Sequence, residues 1–239
     1  MADLRGAAAE ALAGTGVAAV AGTGLLPLMP PAAVPDFLAA WSRLEPDAYL
    51  PGGSTFRRRR YGRIAAVPGA DGEYRLDDLP GAPFTQSAAT IPLYRGAARR
   101  FAPVGTSFLR SSALRTLLRF DLDVIGRLEP RAFGIGIHLI RVTVGPDHPE
   151  NPAPEGRHFD GHLYVAMHLI GRESCSGGSS LVFMPGDDKP VFSTTLTGRL
   201  DTLIVDDRRV EHEVSPVRAL GPGAVRDMLL VDFDPLDDI

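Results

Sequence analysis

Arg157-His158-Phe159-Asp160-Gly161, answered far downstream by Val210-Glu211-His212, is the stretch of this chain with the clearest chemistry. Along a β-strand, residues two apart project from one face, so a His-x-Asp triplet at a strand end aims an imidazole and a carboxylate at one point. A third donor completes such a set, and His212 lies in a run with its own apolar flanks, Val210 and Val214. Two imidazoles and one carboxylate on one side of a metal, with the opposite positions open, form the facial triad suited to non-heme Fe(II) and O2. Of the other histidines, His148 in a Pro-rich loop reads as a plain polar residue, and His162, two beyond Asp160, is expected at the entrance or facing solvent.

Around that nucleus a second tier of candidates follows from strand parity. Arg226 opens the apolar strand Arg226–Phe233, and an arginine aimed into a barrel costs on the order of several kcal/mol unless an anion meets it. Its rival, Arg218, sits in a loop just past Pro216 and reads as solvated. If the turn at Gly161 keeps register, the parity of Asp160 puts Tyr164, Ala166 and His168 on the interior. Tyr164 and His168 are then candidates for contact with a cofactor, an interior His paired for structure being the alternative. The run Arg57–Arg60 reads as a half-exposed strand whose alternation turns two arginines inward. Arg58 and Arg60, with Gln86 and His138, are the candidate substrate contacts, since a guanidinium fork matches a carboxylate.

The elements that must position these groups change character near residue 130. Leu4, Ala7, Ala8, Ala11 and Leu12 predict a helix stopped near Gly14; Phe37, Leu38, Trp41 and Leu44 predict another; and Ser111 to Leu128 carries leucines at helical spacing with Ser112 as cap. From Phe133 onward the pattern turns β-branched and alternating. Short strands follow over 163–170, 180–184, 191–196, 203–205, 210–214 and 228–233, divided by turn residues such as Pro185-Gly186-Asp187-Asp188. This ordering predicts a mainly β fold with N-terminal helices and a double-stranded β-helix, or jelly-roll, core. At 239 residues the chain is expected to be a single domain over 1–239, with an N-terminal extension over 1–50 and a metal-binding β core over about 130–234.

A net charge of −4 and a pI near 5.9 argue against nucleic acid or an anionic membrane as partner and leave small molecules. Cys175 is the only cysteine, which excludes an intrachain disulfide and fits a reducing compartment. The Ala-, Gly- and Leu-rich start contains Asp3 and Glu10 and lacks a net-positive leader, and no run approaches the ~20 apolar residues of a membrane span, so a cytoplasmic location is expected.

Taken together, Pro154–Gly161, Tyr164-Val165, Leu169–Arg172, Gly177–Ser179, Asp207–Val214 and Gly223–Asp227 resemble the bacterial 2-oxoglutarate/Fe(II) dioxygenases typified by L-isoleucine 4-hydroxylase. Arg59–Gly62, Phe84–Ser87 and Arg99–Phe101 extend the likeness over roughly residues 56 to 233. The resemblance implies His158, Asp160 and His212 as iron ligands, Arg226 as partner of the distal carboxylate of 2-oxoglutarate, and a double-stranded β-helix. It further implies Fe(II), 2-oxoglutarate and O2 as cofactor and co-substrates, an amino-acid-like substrate hydroxylated at an unactivated C–H, and succinate and CO2 as co-products. A carboxylate ligand at Asp160 fills the position that related halogenases leave open for chloride. Desaturation or ring closure with the same cofactors, and a cupin-like metal-binding module without oxygen chemistry, are the competing expectations.

Overall fold

The computed structural model describes residues 3–236; the outermost residues of the 1–239 expectation lie outside it. The N-terminal half supplies helix α1 (Leu4–Thr15), β1 (Val17–Val20), α2 (Gly22–Leu25), α3 (Val34–Ala39), β2 (Glu45–Pro46), β3 (Arg57–Pro68), β4 (Tyr74–Asp78), β5 (Ala102–Pro103), α4 (Thr106–Leu109) and α5 (Ser112–Ile125). Strands β6 (Phe133–Thr143), β7 (Tyr164–Glu173), β8 (Cys175–Gly177), β9 (Ser180–Phe183), β10 (Phe192–Thr194), β11 (Thr202–Asp206), β12 (Glu211–Val214), β13 (Val217–Ala219) and β14 (Val225–Pro235) follow. The helix that leucine spacing places after Ser111 is α5, and its cap is Ser111 itself, whose hydroxyl accepts the Leu114 N–H at 3.3 Å. Helix α1 runs past Gly14 and stops at Gly16, which takes the left-handed conformation, φ 75°, that ends helices at little steric cost to glycine.

One large sheet runs β1-β11-β7-β14-β6-β3-β2, with β4 and β5 also paired to β3. A smaller sheet, β10-β9-β12, and the pair β13-β8 make the second layer, which gives the jelly-roll core that the strand pattern predicts. Alternation assigns every central strand two faces. Ile64 and Ala66 of β3, Ile135, Ile137 and Leu139 of β6, and Leu229, Val231 and Phe233 of β14 pack under the helices with Leu114, Leu117, Leu118 and Leu122 of α5. The opposite face carries Val165 and Met167 of β7 and Met228 of β14, which pack with Val182 of β9. Between β14 and β7 the register shifts by one residue at Asp227/Met228, and the Met228 carbonyl there accepts the Trp41 indole N–H at 3.0 Å. Among the described residues, no helix is long and apolar enough to cross a membrane.

Parity on β7 runs opposite to the sequence-based expectation. Residues 161–163 form a bend with Gly161 at φ 92°, and the strand starts at Tyr164, so the register does not carry through from Asp160. Tyr164, Ala166 and His168 consequently face the helix layer. The Tyr164 hydroxyl takes an N–H from Arg208 at 2.8 Å. His168 is fully buried between Thr202 Oγ1, 2.8 Å from its Nδ1, and Asp121 Oδ2 of α5, 3.0 Å from its Nε2. The Thr202 hydroxyl donates to the Leu200 carbonyl, so His168 donates to Thr202 and shares its second nitrogen's proton with Asp121. Burial pushes the Asp121 carboxyl up, against the pull of His168.

This buried pair fastens α5 to the sheet. Asp121→Ala leaves His168 without its partner and is expected to cost about 3–5 kcal/mol in unfolding free energy, read by denaturant titration. The KM for any ligand of the opposite face should not move. A raised KM with unchanged stability would return His168 to the cavity.

Candidate active site

Between the two layers lies a cavity of roughly 980 Å³, counting its open mouth, and the His-x-Asp segment and β12 meet on its wall. His158 is no longer in a strand of its own. It forms an isolated bridge with His212, its N–H donating to the His212 carbonyl at 3.1 Å and its carbonyl accepting the His212 N–H at 2.9 Å. The two rings stand 4.7 Å apart, centroid to centroid. Asp160 bridges them: Oδ1 lies 3.4 Å from His158 Nε2, and Oδ2 lies 3.2 Å from His212 Nε2. Burial alone would raise the Asp160 carboxyl, but the two imidazoles hold it well below the usual carboxylate range. Burial likewise opposes the charge on His158, yet Asp160 and Glu155 lift it to about 9.

These groups fit a metal ion. The ligand atoms of His158, Asp160 and His212 all lie within 4.8 Å of one another. Donors at about 2.1 Å from one ion and at right angles to each other are separated by about 3 Å, close to the two carboxylate–imidazole spacings. His158 Nδ1 is 2.6 Å from the Gly156 carbonyl, which fixes a proton on Nδ1 and turns Nε2 toward the cavity as the nitrogen that would give up its proton to an ion. Asp207 holds the segment from behind. Its carboxylate accepts the backbone N–H groups of Asp160, Gly161 and His162 at 2.9, 2.7 and 2.9 Å. Burial, then the Asp160 charge, push Asp207 up to about 6.

Arg226 enters the same cavity from β14. Its side chain is 5% exposed, no carboxylate stands within ion-pair distance among the described residues, and Nε lacks any hydrogen-bond partner. Desolvation, then the neighbouring Arg172, lower it to about 10. Gly178 makes room for it, since a Cβ there would sit 3.1 Å from Arg226 Nε. Arg218, by contrast, is exposed on β13.

The arginine run turns the other way from the expectation. Even-numbered residues of β3 share the face of Ile64, so Arg58 and Arg60 leave the helix side at the sheet's edge, Arg60 pairing with Glu45 and Arg58 donating to the Leu44 carbonyl. Arg57 and Arg59 line the cavity instead. Gln86 and His138 do line it. Gln86 Nε2 donates to the Asp160 carbonyl at 3.0 Å and to Asp160 Oδ1 at 3.2 Å.

Several cavity residues escaped the sequence reading. Asp232 lies on the parity of Arg226, six residues along β14, which is a legible signal in retrospect. Its carboxylate sits over Gly136, where any Cβ would come within 2.4 Å of it, so the glycine of the Gly-Ile-Gly-Ile run is a steric necessity. His162 does not face solvent: it lines the cavity, with Nδ1 2.7 Å from Asp234 Oδ2 and Nε2 3.5 Å from Asp232 Oδ2. Burial disfavours both charges there, yet Asp232 and Asp234 hold His162 up at about 10, and His138, then His162, hold Asp232 down at about 2.

His138 stands between Arg59 and Asp232, Nδ1 2.7 Å from Arg59 Nη2 and Nε2 2.7 Å from Asp232 Oδ1, the latter outside good hydrogen-bond geometry. Burial is the main reason that it falls to about 4. Folded His138 therefore stays neutral between pH 6.5 and 4 while the unfolded chain takes up the proton. Its contribution to stability is complete above about pH 6.5 and drains away as pH falls toward 4, on the order of 3 kcal/mol at full extent. Unfolding curves of wild type and His138→Gln across that window should converge in slope elsewhere and differ there. Parallel curves throughout would rule the effect out.

A His-Asp-His cluster able to hold a metal ion, opening with the buried Arg226 into a cavity inside a jelly roll, is the arrangement of a metal-dependent enzyme site. The family described as 2OG-Fe dioxygenase matches residues 38–232, and the chain belongs to that family. Its members use Fe(II), 2-oxoglutarate and O2. No curated protein sequence matches the chain. Among solved structures, a bsmA homolog from Methylobium petroleophilum PM1 is 27% identical with a TM-score of 0.86, covering 97% of this chain and 93% of that one. IDO from Bacillus thuringiensis has 22% identity, a TM-score of 0.78 and coverage of 97% and 99%. The Fe(II)/(alpha)ketoglutarate-dependent dioxygenase TqaL has 17% identity, a TM-score of 0.74 and coverage of 98% and 87%. The last two likenesses concern the fold.

Proposed function

We propose that this dioxygenase hydroxylates an unactivated C–H bond of a free L-amino acid or close derivative, with His158, Asp160 and His212 as iron ligands and Arg226 as anchor of 2-oxoglutarate. The observation that carries it is the unpaired, buried Arg226 in one cavity with the triad. A guanidinium without a counter-ion is costly in a dry site, and the far carboxylate of 2-oxoglutarate supplies the missing charge. That pairing also favours an oxygenase over a cupin-like module that merely holds a metal. The amino-acid reading rests on the sequence runs shared with L-isoleucine 4-hydroxylase-type enzymes.

Bound iron with 2-oxoglutarate and O2 supplies an oxidant able to attack unactivated C–H bonds. The protein's own share is placement. Gly156 fixes the His158 tautomer, Asp207 holds the Asp160 segment, and Arg226 sets one end of the co-substrate. Val165, Met167, Ile140, Met228 and Leu230 give the cavity apolar walls that limit water around the reacting centre.

Succinate release from 2-oxoglutarate, measured with Fe(II), O2 and a panel of L-amino acids, tests the reading. At least one amino acid should stimulate turnover strongly, with a product heavier by one oxygen atom. A product lighter by two hydrogens would replace hydroxylation with desaturation or ring closure, and no stimulation by any amino acid would remove the substrate class.

A further inference from the structure

The β3 side of the cavity carries more positive charge than the protein neutralises. Arg57 is satisfied: Nε meets Asp47 Oδ2 at 2.8 Å, and its two other nitrogens reach the Pro152 carbonyl and the Tyr94 hydroxyl at 2.9 and 3.1 Å. Arg59 and Arg99 are not. Arg59 is 7% exposed and Arg99 is 1% exposed; neither Nε has a hydrogen-bond partner, and neither guanidinium has a carboxylate within 4.0 Å among the described residues. Arg59 gives Nη2 to a neutral imidazole, His138, and Arg99 gives Nη2 to Gln86 Oε1. Both are packed against the Phe84 ring, at 5.0 and 4.9 Å to its centroid. Burial and mutual repulsion draw Arg59 down to about 10.

This charge is separate from that of Arg226. In the ladder Arg59 of β3 pairs with Ile140 of β6, and Ile140 pairs with Met228 of β14, so the backbone of Arg59 lies two strand spacings across and two residues along from Arg226, more than about 10 Å away. Glu155 lines the same cavity; its Oε2 is buried without a hydrogen-bond partner and its Oε1 stands 3.9 Å from His158 Nε2. Among the described residues Glu155 has no arginine within ion-pair distance, and its one charged neighbour is His158. The cavity thus holds two cations without a carboxylate and, beside His158, a carboxylate oxygen without a hydrogen-bond partner, in addition to the groups already used.

We propose that Arg59 and Arg99 bind the α-carboxylate of the substrate and Glu155 its ammonium, so that the enzyme takes the free zwitterion and rejects amides, esters and carrier-tethered amino acids. The inference rests on the amino-acid reading above and narrows it. A planar carboxylate suits the guanidinium forks, and a compact ammonium suits a lone carboxylate. Gln86 acts as a positioning residue: its amide nitrogen holds Asp160 and its oxygen holds Arg99, so one side chain sets the distance between substrate anion and metal ligand.

The experiment is calorimetric binding under anaerobic conditions, with a redox-inert divalent metal and 2-oxoglutarate, of a panel of free L-amino acids, each also presented as its carboxamide and its N-acetyl derivative. The best free amino acid should outbind its carboxamide by about 30-fold or more, the loss usual when one partner of a buried charge pair is removed. The N-acetyl derivative should be weakened as well, and Glu155→Gln should abolish that difference. Arg59→Met and Arg99→Met should bring acid and carboxamide to the same affinity while leaving 2-oxoglutarate binding intact. Equal affinities for acid and carboxamide on the wild-type protein, no binding by any free amino acid, or a preserved preference in both arginine variants would overturn the proposal. If 2-oxoglutarate itself fails to bind, the dioxygenase reading fails; the acid–carboxamide comparison, repeated without metal or 2-oxoglutarate, still decides the zwitterion site.

Discussion

Arg226→Ala raises the apparent KM for 2-oxoglutarate by about 30- to several-thousand-fold, the equivalent of about 2–5 kcal/mol, because it strands a carboxylate in a desolvated pocket. Metal affinity, measured by calorimetry in the absence of 2-oxoglutarate, should change little. The structure sharpens this expectation. Among the described residues Arg226 has no counter-ion, so the ligand-free variant should melt no lower than wild type, while the rise in melting temperature that 2-oxoglutarate is expected to give wild type should vanish. Arg226→Lys should recover only part of the affinity, lacking the two-pronged donor. Arg218→Ala, on exposed β13, is the control. Were Arg218→Ala to raise the KM while Arg226→Ala did not, the buried guanidinium would lose its assigned partner.

His158→Ala, Asp160→Ala and His212→Ala should each bring succinate formation down to background. Removal of any one donor breaks a three-point set, and the remaining two cannot hold an ion with its open positions in place. Bound metal, measured after gel filtration, should fall in parallel with turnover. Full metal content and activity in any single variant would sink the ligand assignment. Asp160→Gly supplemented with chloride asks a further question, whether the vacated position accepts a halide, and C–H chlorination would be the positive answer.

How far the site was readable depends on which side of a turn a residue lies. The convergence of His158, Asp160 and His212 was legible because the three advertise themselves by type, and the burial of Arg226 because a charge opens an otherwise apolar strand. The jelly roll was legible in the alternation after Phe133 and the turn residues between short strands. What failed was parity across irregular backbone. The bend at Gly161 returns the chain to strand one residue out of step, so Val165 and Met167 face the cavity where Tyr164 and His168 were expected. On β3 the same single-residue ambiguity exchanged Arg57 and Arg59 for Arg58 and Arg60. Asp207 was beyond reach for another reason: its partners are backbone amides, which no residue type announces.

Asp207 also determines how stiffly the candidate ligands are held. Three consecutive amide hydrogens converge on one internal carboxylate, and the backbones of His158 and His212 clasp each other in both directions, so backbone bonds fix the spacing of the donor atoms. Side chains carried on backbone tied down in this way have little conformational entropy left to lose on binding, so affinity is spent on coordination rather than on ordering a loop.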